Sequence, residues 1–176
     1  DEPYSNAYIN GTRIYVPQMG TSGDAAALQA YRSAMPGYEV SGYTYTSFEG
    51  TDAIHCRVNS IFDSQMITVS HTPVTEWISH NSINLPVVIR HSNPLVPDST
   101  YVAYKIGSQG IWQKQTLNQL SGLNYASLIP AASYGDTLFY MISAYDTTGR
   151  RSTMPLCGRM DPFWLVINQA GALEAP

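Results

Sequence analysis

The sequence predicts an α+β chain: a short mixed segment with one helix among strands, an incomplete ββαβ module, followed by an all-β antiparallel sandwich. Three observations carry this. An Asn-Gly turn and an alanine-rich amphipathic run lie close together near the N-terminus. From about Trp77 onward, short alternating or apolar runs are separated by turn signals, with no further helical period. Apolar residues make up 44% of the 176, enough to bury one large core or two small ones.

The first element is a hairpin. "AYING" ends at Asn10-Gly11, and "TRIYVPQMG" follows with Ile14 and Val16 on one face and Arg13 and Tyr15 on the other. Asn-Gly between alternating runs signals a tight turn, because both residues tolerate the positive φ that joins twisted strands. The period then changes. In "TSGDAAALQAYRSAMPG", Ser22 or Asp24 can cap a helix, Ala27, Leu28, Tyr31 and Met35 share a face, and Pro36-Gly37 stops the run. "YEVSGYTYTSF" returns to period two, with Val40 and the tyrosines at alternate positions, before the "EGTDAIHCRV" turn and a further strand, "MITVSHTPV". The order β-β-α-β is one supersecondary module with open strand edges, so it is expected to pack on further modules or on itself.

In the second half, "INLPVVIRH", "TYVAYKIG", "IWQKQTL", "NYASLIPA", "DTLFYMISAYD" and "RSTMPL" read as strands, spaced by turns such as "SNPLVPDS", "SYGD" and "DTTG". Strands at this spacing, without self-similar repeats, are the pattern of an immunoglobulin-like sandwich rather than a solenoid or propeller. The expected organisation is residues 1–78 as the mixed segment, 79–170 as the sandwich and 171–176 as a tail.

Composition narrows the partners. The net charge of −4, with nine Lys plus Arg spread along the chain, gives no footprint for a phosphate backbone, so nucleic acid is not expected. No apolar run is long enough to span a membrane, and "DEPYSNAYIN" lacks the basic and apolar regions of a signal peptide. Low charge (12%), 13 tyrosines and regular Gly/Pro turn markers lean toward a secreted or periplasmic protein. Two cysteines far apart make no disulfide framework.

Three stretches, in this order and at these spacings, resemble the C-terminal part of the catalytic domain of the agmatine deiminase and bacterial peptidylarginine deiminase family: "YSNAYINGTRIYVPQMG", "AALQAYRSAMPGYEV" and "GTDAIHCR". The shared features are Tyr4-Ser5-Asn6, Val16-Pro17-Gln18, the alanine-rich helix before Met35-Pro36-Gly37, and the glycine-led turn closing on Ile54-His55-Cys56. The resemblance covers about residues 3–74. "YMISAYDTTGR", at 140–150, is similar to the immunoglobulin-like domain that follows the catalytic domain in secreted bacterial peptidylarginine deiminases.

The resemblance implies a pentein fold, a ring of ββαβ-type modules around a central active site, in which a cysteine thiolate attacks a guanidinium carbon and ammonia leaves to give a ureido product. Cys56 stands at the nucleophile's position, and Asn6 near that of an active-site asparagine, with Asn10 as the neighbouring alternative. Cysteine suits the task, since a thiolate is nucleophilic enough near neutral pH to attack a resonance-stabilised cation. The family also needs an aspartate that grips the guanidinium and a histidine followed closely by an acid, both from earlier modules. None of the four histidines here has an acid two residues on, and His71, His80 and His91 follow Cys56. The expectation is therefore the last module or so of such a hydrolase plus its sandwich, acting on peptidyl arginine or a small guanidine in a parent protein and inactive alone. The rival expectation is a non-catalytic binding or adhesion module that uses the immunoglobulin-like half.

Each residue also has a plainer reading. Cys56 can be a small buried hydrophobe. His55, beside it, reads as structural, because neighbours on an extended strand point to opposite faces. Cysteines and histidines lack zinc-type spacing, so neither a metal nor a cofactor is expected. Cys157 reads as a plain buried thiol. Tyr38, Tyr43 and Tyr45 are packing residues or a stacking face, and Trp77, Trp112 and Trp164 are core and edge residues or a carbohydrate patch.

Overall fold

A computed structural model describes residues 3–45, 47, 53–56 and 58–168. The chain is mostly β-sheet with one α-helix among the described residues, an α+β protein as the sequence predicts. It divides into two compact units, Asp1–Asp63 and Ser64–Pro176.

In the first unit a short 3-10 turn, Pro3–Ser5, leads into β1 (Tyr8–Asn10), β2 (Arg13–Gln18), α1 (Gly23–Ala34) and β3 (Glu39–Thr44). The strands form one sheet in the order β1-β2-β3, β1 antiparallel to β2 and β2 parallel to β3. The hairpin is shifted by one residue from the expected turn. Asn10 pairs with Arg13, so the loop is Gly11-Thr12, and Gly11 takes the positive φ of 59°. The helix packs on β2 and β3. Ile14 and Val16 are fully buried, and Ala27, Leu28, Tyr31 and Met35, the expected inner face, are half-buried. Gly37, at φ 90°, turns the chain into β3, where Pro36 has already ended the helix.

The second unit contains β4 (Thr68–Ser70), β5 (Ile83–Arg90), β6 (Tyr101–Ile106), β7 (Gln113–Thr116), β8 (Asn118–Ser121), β9 (Asn124–Ile129), β10 (Thr137–Tyr145), β11 (Arg151–Met154) and β12 (Phe163–Val166). One antiparallel sheet runs β4-β5-β9-β8; the other runs β11-β10-β6-β7, with β12 pairing the first half of β10 and β11 its second half. Their inner faces share a single apolar cluster. Ile83, Leu85, Val87 and Ile89 enter it from β5 at every second position, and Leu138, Tyr140, Ile142 and Ala144 from β10. Each fully buried aliphatic chain of this kind contributes about 1.5–3 kcal/mol.

The division at Asp63 lies earlier than the expected boundary at 78. The cause is packing. Ile67, Val69 and Trp77 join the second cluster, β4 pairs β5, and the Trp77 indole N–H donates to the Asn81 carbonyl at 2.7 Å. "MITVSHTPV" is thus an edge of the second unit rather than the last strand of the first module. Among the described residues, no helix is long and apolar enough to cross a membrane. The expected tail, 171–176, lies outside the described residues.

Candidate functional site around Cys56

The segment carrying Asn6 is clasped onto the start of α1. The Tyr4 hydroxyl donates to Asp24 Oδ1 at 2.9 Å, the Tyr31 hydroxyl donates to the Tyr4 carbonyl at 2.9 Å, and Asn6 N–H donates to the Pro3 carbonyl at 3.0 Å. Ser22 occupies the N-cap position without a side-chain bond. Asp24, in the first turn, ties down the preceding loop rather than capping the helix, accepting the N–H groups of Met19 at 3.1 Å, Gly20 at 2.8 Å and Thr21 at 3.1 Å. Burial alone pushes the Asp24 carboxyl up, but these bonds and that of Tyr4 outweigh it and hold the group below the ordinary carboxylate range.

The clasp presents the Asn6 carbonyl to the second half of the site, where it accepts His55 N–H at 3.1 Å. Asn6, half-buried, and the His55-Cys56 pair, distant in sequence, therefore meet through one backbone hydrogen bond. Asn10, the alternative, is the last residue of β1 and lines a recess described below.

Residues 53–56 form a turn, with Ala53 at φ 33°. Ala53 and Ile54 are buried, whereas His55 and Cys56 are exposed. This corrects the expectation for His55. The pair is not on an extended strand, so the opposite-faces rule does not operate, and His55 Nδ1 stands 3.4 Å from Cys56 Sγ. When Nδ1 carries no hydrogen it can accept the thiol proton, the arrangement that activates a cysteine nucleophile. Cys56 is also not a buried spacer. Gly50, Thr51 and Asp52, the rest of the glycine-led turn, and Arg57 lie outside the described residues.

Beside Ile54 the outer face of the first sheet forms a recess of about 510 Å³. Its lining includes Tyr8, Tyr15 and Tyr43, one from each strand, together with Val58 and Ile61. The three rings run as a ladder: Tyr8 and Tyr15 stack with centroids 6.1 Å apart, and Tyr15 and Tyr43 tilt at 5.7 Å. Alternation signals that Tyr15 faces away from Ile14 and Val16; the ladder itself depends on cross-strand register, which no local pattern reveals. Tyr45 is exposed and Tyr38 half-buried.

Elsewhere, Cys157 is half-buried rather than buried, at the entry to a 3-10 turn. His71 and His91 are held by Tyr140 and Tyr125 in the second unit. Among the described residues no three His, Cys, Asp or Glu side chains converge as metal ligands would. No protein-family model matches the chain.

Proposed function

We propose that the chain carries the nucleophile of a hydrolase that converts guanidino groups to ureido groups, with the first unit a pentein-type module and the second an immunoglobulin-like sandwich. The observation that carries the reading is the hydrogen bond from His55 N–H to the Asn6 carbonyl, which ties Asn6 to the neighbour of the exposed Cys56, Asn6 and Cys56 being the two residues that the family resemblance singles out. The tyrosine-walled recess supports it further, because aromatic faces attract planar cations.

In this reading the Cys56 sulfur, its proton passed to His55 Nδ1, forms a C–S bond to the guanidinium carbon. His55 returns that proton to one nitrogen of the adduct, a C–N bond breaks as ammonia leaves, and a thiouronium remains. Water then adds to the same carbon, the C–S bond breaks, and the ureido product departs with the thiol restored. The chain's own histidines include none with an acid two residues on, so turnover by these 176 residues alone is not expected.

Covalent trapping tests the reading without requiring turnover. A haloacetamidine, whose amidinium resembles the substrate cation, is compared with neutral iodoacetamide, and the label on Cys56 and Cys157 is quantified by peptide mass spectrometry. The expected result is a Cys56-to-Cys157 labelling ratio higher with the amidine than with the amide. Equal ratios with the two reagents would sink the assignment.

A further inference from the structure

The five-stranded sheet of the second unit keeps one face in the core and turns the other outward. Because Leu138, Tyr140 and Ile142 point inward from β10, Phe139 lies on the outer face. Its two cross-strand partners are Lys105 on β6 and Trp164 on β12, which sets the three in one row across the sheet. Trp112, just before β7, extends the row: the Lys105 ammonium lies 5.6 Å from its ring centre and 5.0 Å from that of Phe139. The Arg159 guanidinium lies 5.3 Å from the Trp112 ring, and Lys114, beside Ala103, stands 4.2 Å over Tyr101. Trp164 is 66% exposed, an unusual position for so large an apolar ring.

Charge decides what such a face would bind. The chain is acidic overall, yet three of its nine cations, Lys105, Lys114 and Arg159, gather here on aromatic rings. None of the three has an ion-pair partner among the described residues, where the ion pair found is Arg13–Glu39. Lys105 gives one of its donors to the Ser108 carbonyl at 2.6 Å and keeps two for another acceptor. Flat rings with uncompensated cations between them match a polymer that offers both apolar ring faces and carboxylates.

We propose that this outer face binds an acidic polysaccharide, Trp112 and Trp164 stacking on sugar rings while Lys105, Lys114 and Arg159 pair with carboxylates. From β12 to β7 the row crosses three strand spacings, about 14 Å, which is room for a short oligosaccharide. An acidic peptide is less well matched, since peptides dock on strand edges or in grooves and this is an open face. Single-stranded nucleic acid calls for a continuous basic channel, which a chain of net charge −4 with nine scattered cations does not supply. The inference is independent of the chemistry at Cys56.

The test titrates the full chain with oligogalacturonate in calcium-free buffer, following tryptophan fluorescence and heat, beside dextran oligosaccharide, polyglutamate and oligo(dT). Oligogalacturonate is expected to bind saturably, more weakly as salt rises from about 50 to 500 mM. Trp164→Ser and Arg159→Glu, both at exposed positions, are each expected to weaken it about tenfold with an unchanged melting temperature. Lys114→Glu serves if either alters melting. No saturable binding, unchanged affinity in the variants, equal binding of dextran, or tighter binding of polyglutamate or oligo(dT) would each overturn the proposal.

Discussion

The Tyr140 hydroxyl donates to Nε2 of His71 at 3.0 Å and accepts the Val74 N–H at 3.0 Å. The direction follows from the other ring nitrogen. His71 Nδ1 lies 2.7 Å from the Pro86 carbonyl, which can only accept, so the hydrogen of the neutral ring sits on Nδ1 and Nε2 is left as an acceptor. Protonating Nε2 would place two donors against the Tyr140 oxygen.

The second unit should therefore lose stability in mild acid. Burial lowers the His71 pKa, and the Pro86 bond, which favours the charged ring, offsets this only in part. With the folded pKa below the unfolded value near 6.5, the contribution is complete above that pH and is lost as pH falls through the folded pKa. Urea midpoints between pH 7.5 and 5, about the window set by that reference value, should fall for the wild type and stay flatter for His71→Gln. Trp77, in the same core, reports the transition by fluorescence. Parallel slopes for the two proteins would remove His71 as the cause.

Tyr140→Phe isolates the hydroxyl. Tyr140 is fully buried, so the variant leaves Val74 N–H and His71 Nε2 without their partner in a water-poor site. The expected cost is about 1–3 kcal/mol in urea unfolding, chiefly from the buried His71 Nε2, because Val74 is half-buried. A change within error of zero would mean that water replaces the hydroxyl.

In the first unit, Asp24→Asn should loosen the clasp that holds Tyr4 and the turn before α1. The folded Asp24 pKa is depressed, so its contribution is present above the ordinary carboxylate value near 4 and is lost as pH falls through the folded pKa. At neutral pH the variant should show faster amide exchange at Gly20 and Thr21 than the wild type. Unchanged protection would show that the carboxylate is dispensable there.

Where the signal was local, the sequence was readable. Ala27, Leu28, Tyr31 and Met35 followed by Pro36-Gly37 outlined α1, and Leu85, Val87 and Ile89 outlined β5. β8 carries no strand signal in the sequence, because all of its residues, Asn118 to Ser121, are exposed and show no apolar alternation. β12 follows Pro162, is only four residues long and carries Trp164 on its outer side, so it shows no apolar–polar alternation. Local order groups β4 with the strands before it, whereas its packing partners, such as Ile89 opposite Val69, come later in the chain. The row Lys105–Phe139–Trp164 and the Tyr8–Tyr15–Tyr43 ladder depend on strand register, a long-range property. At Cys56 the residue types and the turn are legible, but whether His55 meets the thiol depends on the conformation of that turn, where the opposite-faces rule of a strand does not hold.

Ser127 offers a stabilising substitution. It lies on β9 opposite Leu85 of β5, 1% exposed, and its hydroxyl oxygen has no hydrogen-bond partner among the described residues. Burying an unpaired hydroxyl costs about 1–3 kcal/mol, while the alanine side chain loses only one small atom of packing. Ser127→Ala should raise the urea midpoint by up to about 1 kcal/mol equivalent. A lower midpoint would reveal a partner, such as water, for the hydroxyl.

His55 and Cys56 allow the closest check on chemistry at the candidate site. Nδ1 and Sγ are 3.4 Å apart on an exposed turn, and the His55 backbone N–H is fixed by the Asn6 carbonyl at 3.1 Å, so the imidazole is tethered where it can take the thiol proton. His55→Gln keeps the backbone bond and removes the ring. If the imidazole assists, iodoacetamide should alkylate Cys56 several-fold more slowly in this variant, and labelling of Cys157, in the other unit, should not change. A His55→Gln protein whose Cys56 reacts at the wild-type rate would reduce the 3.4 Å contact to proximity without function, and with it the role of His55 as the proton acceptor.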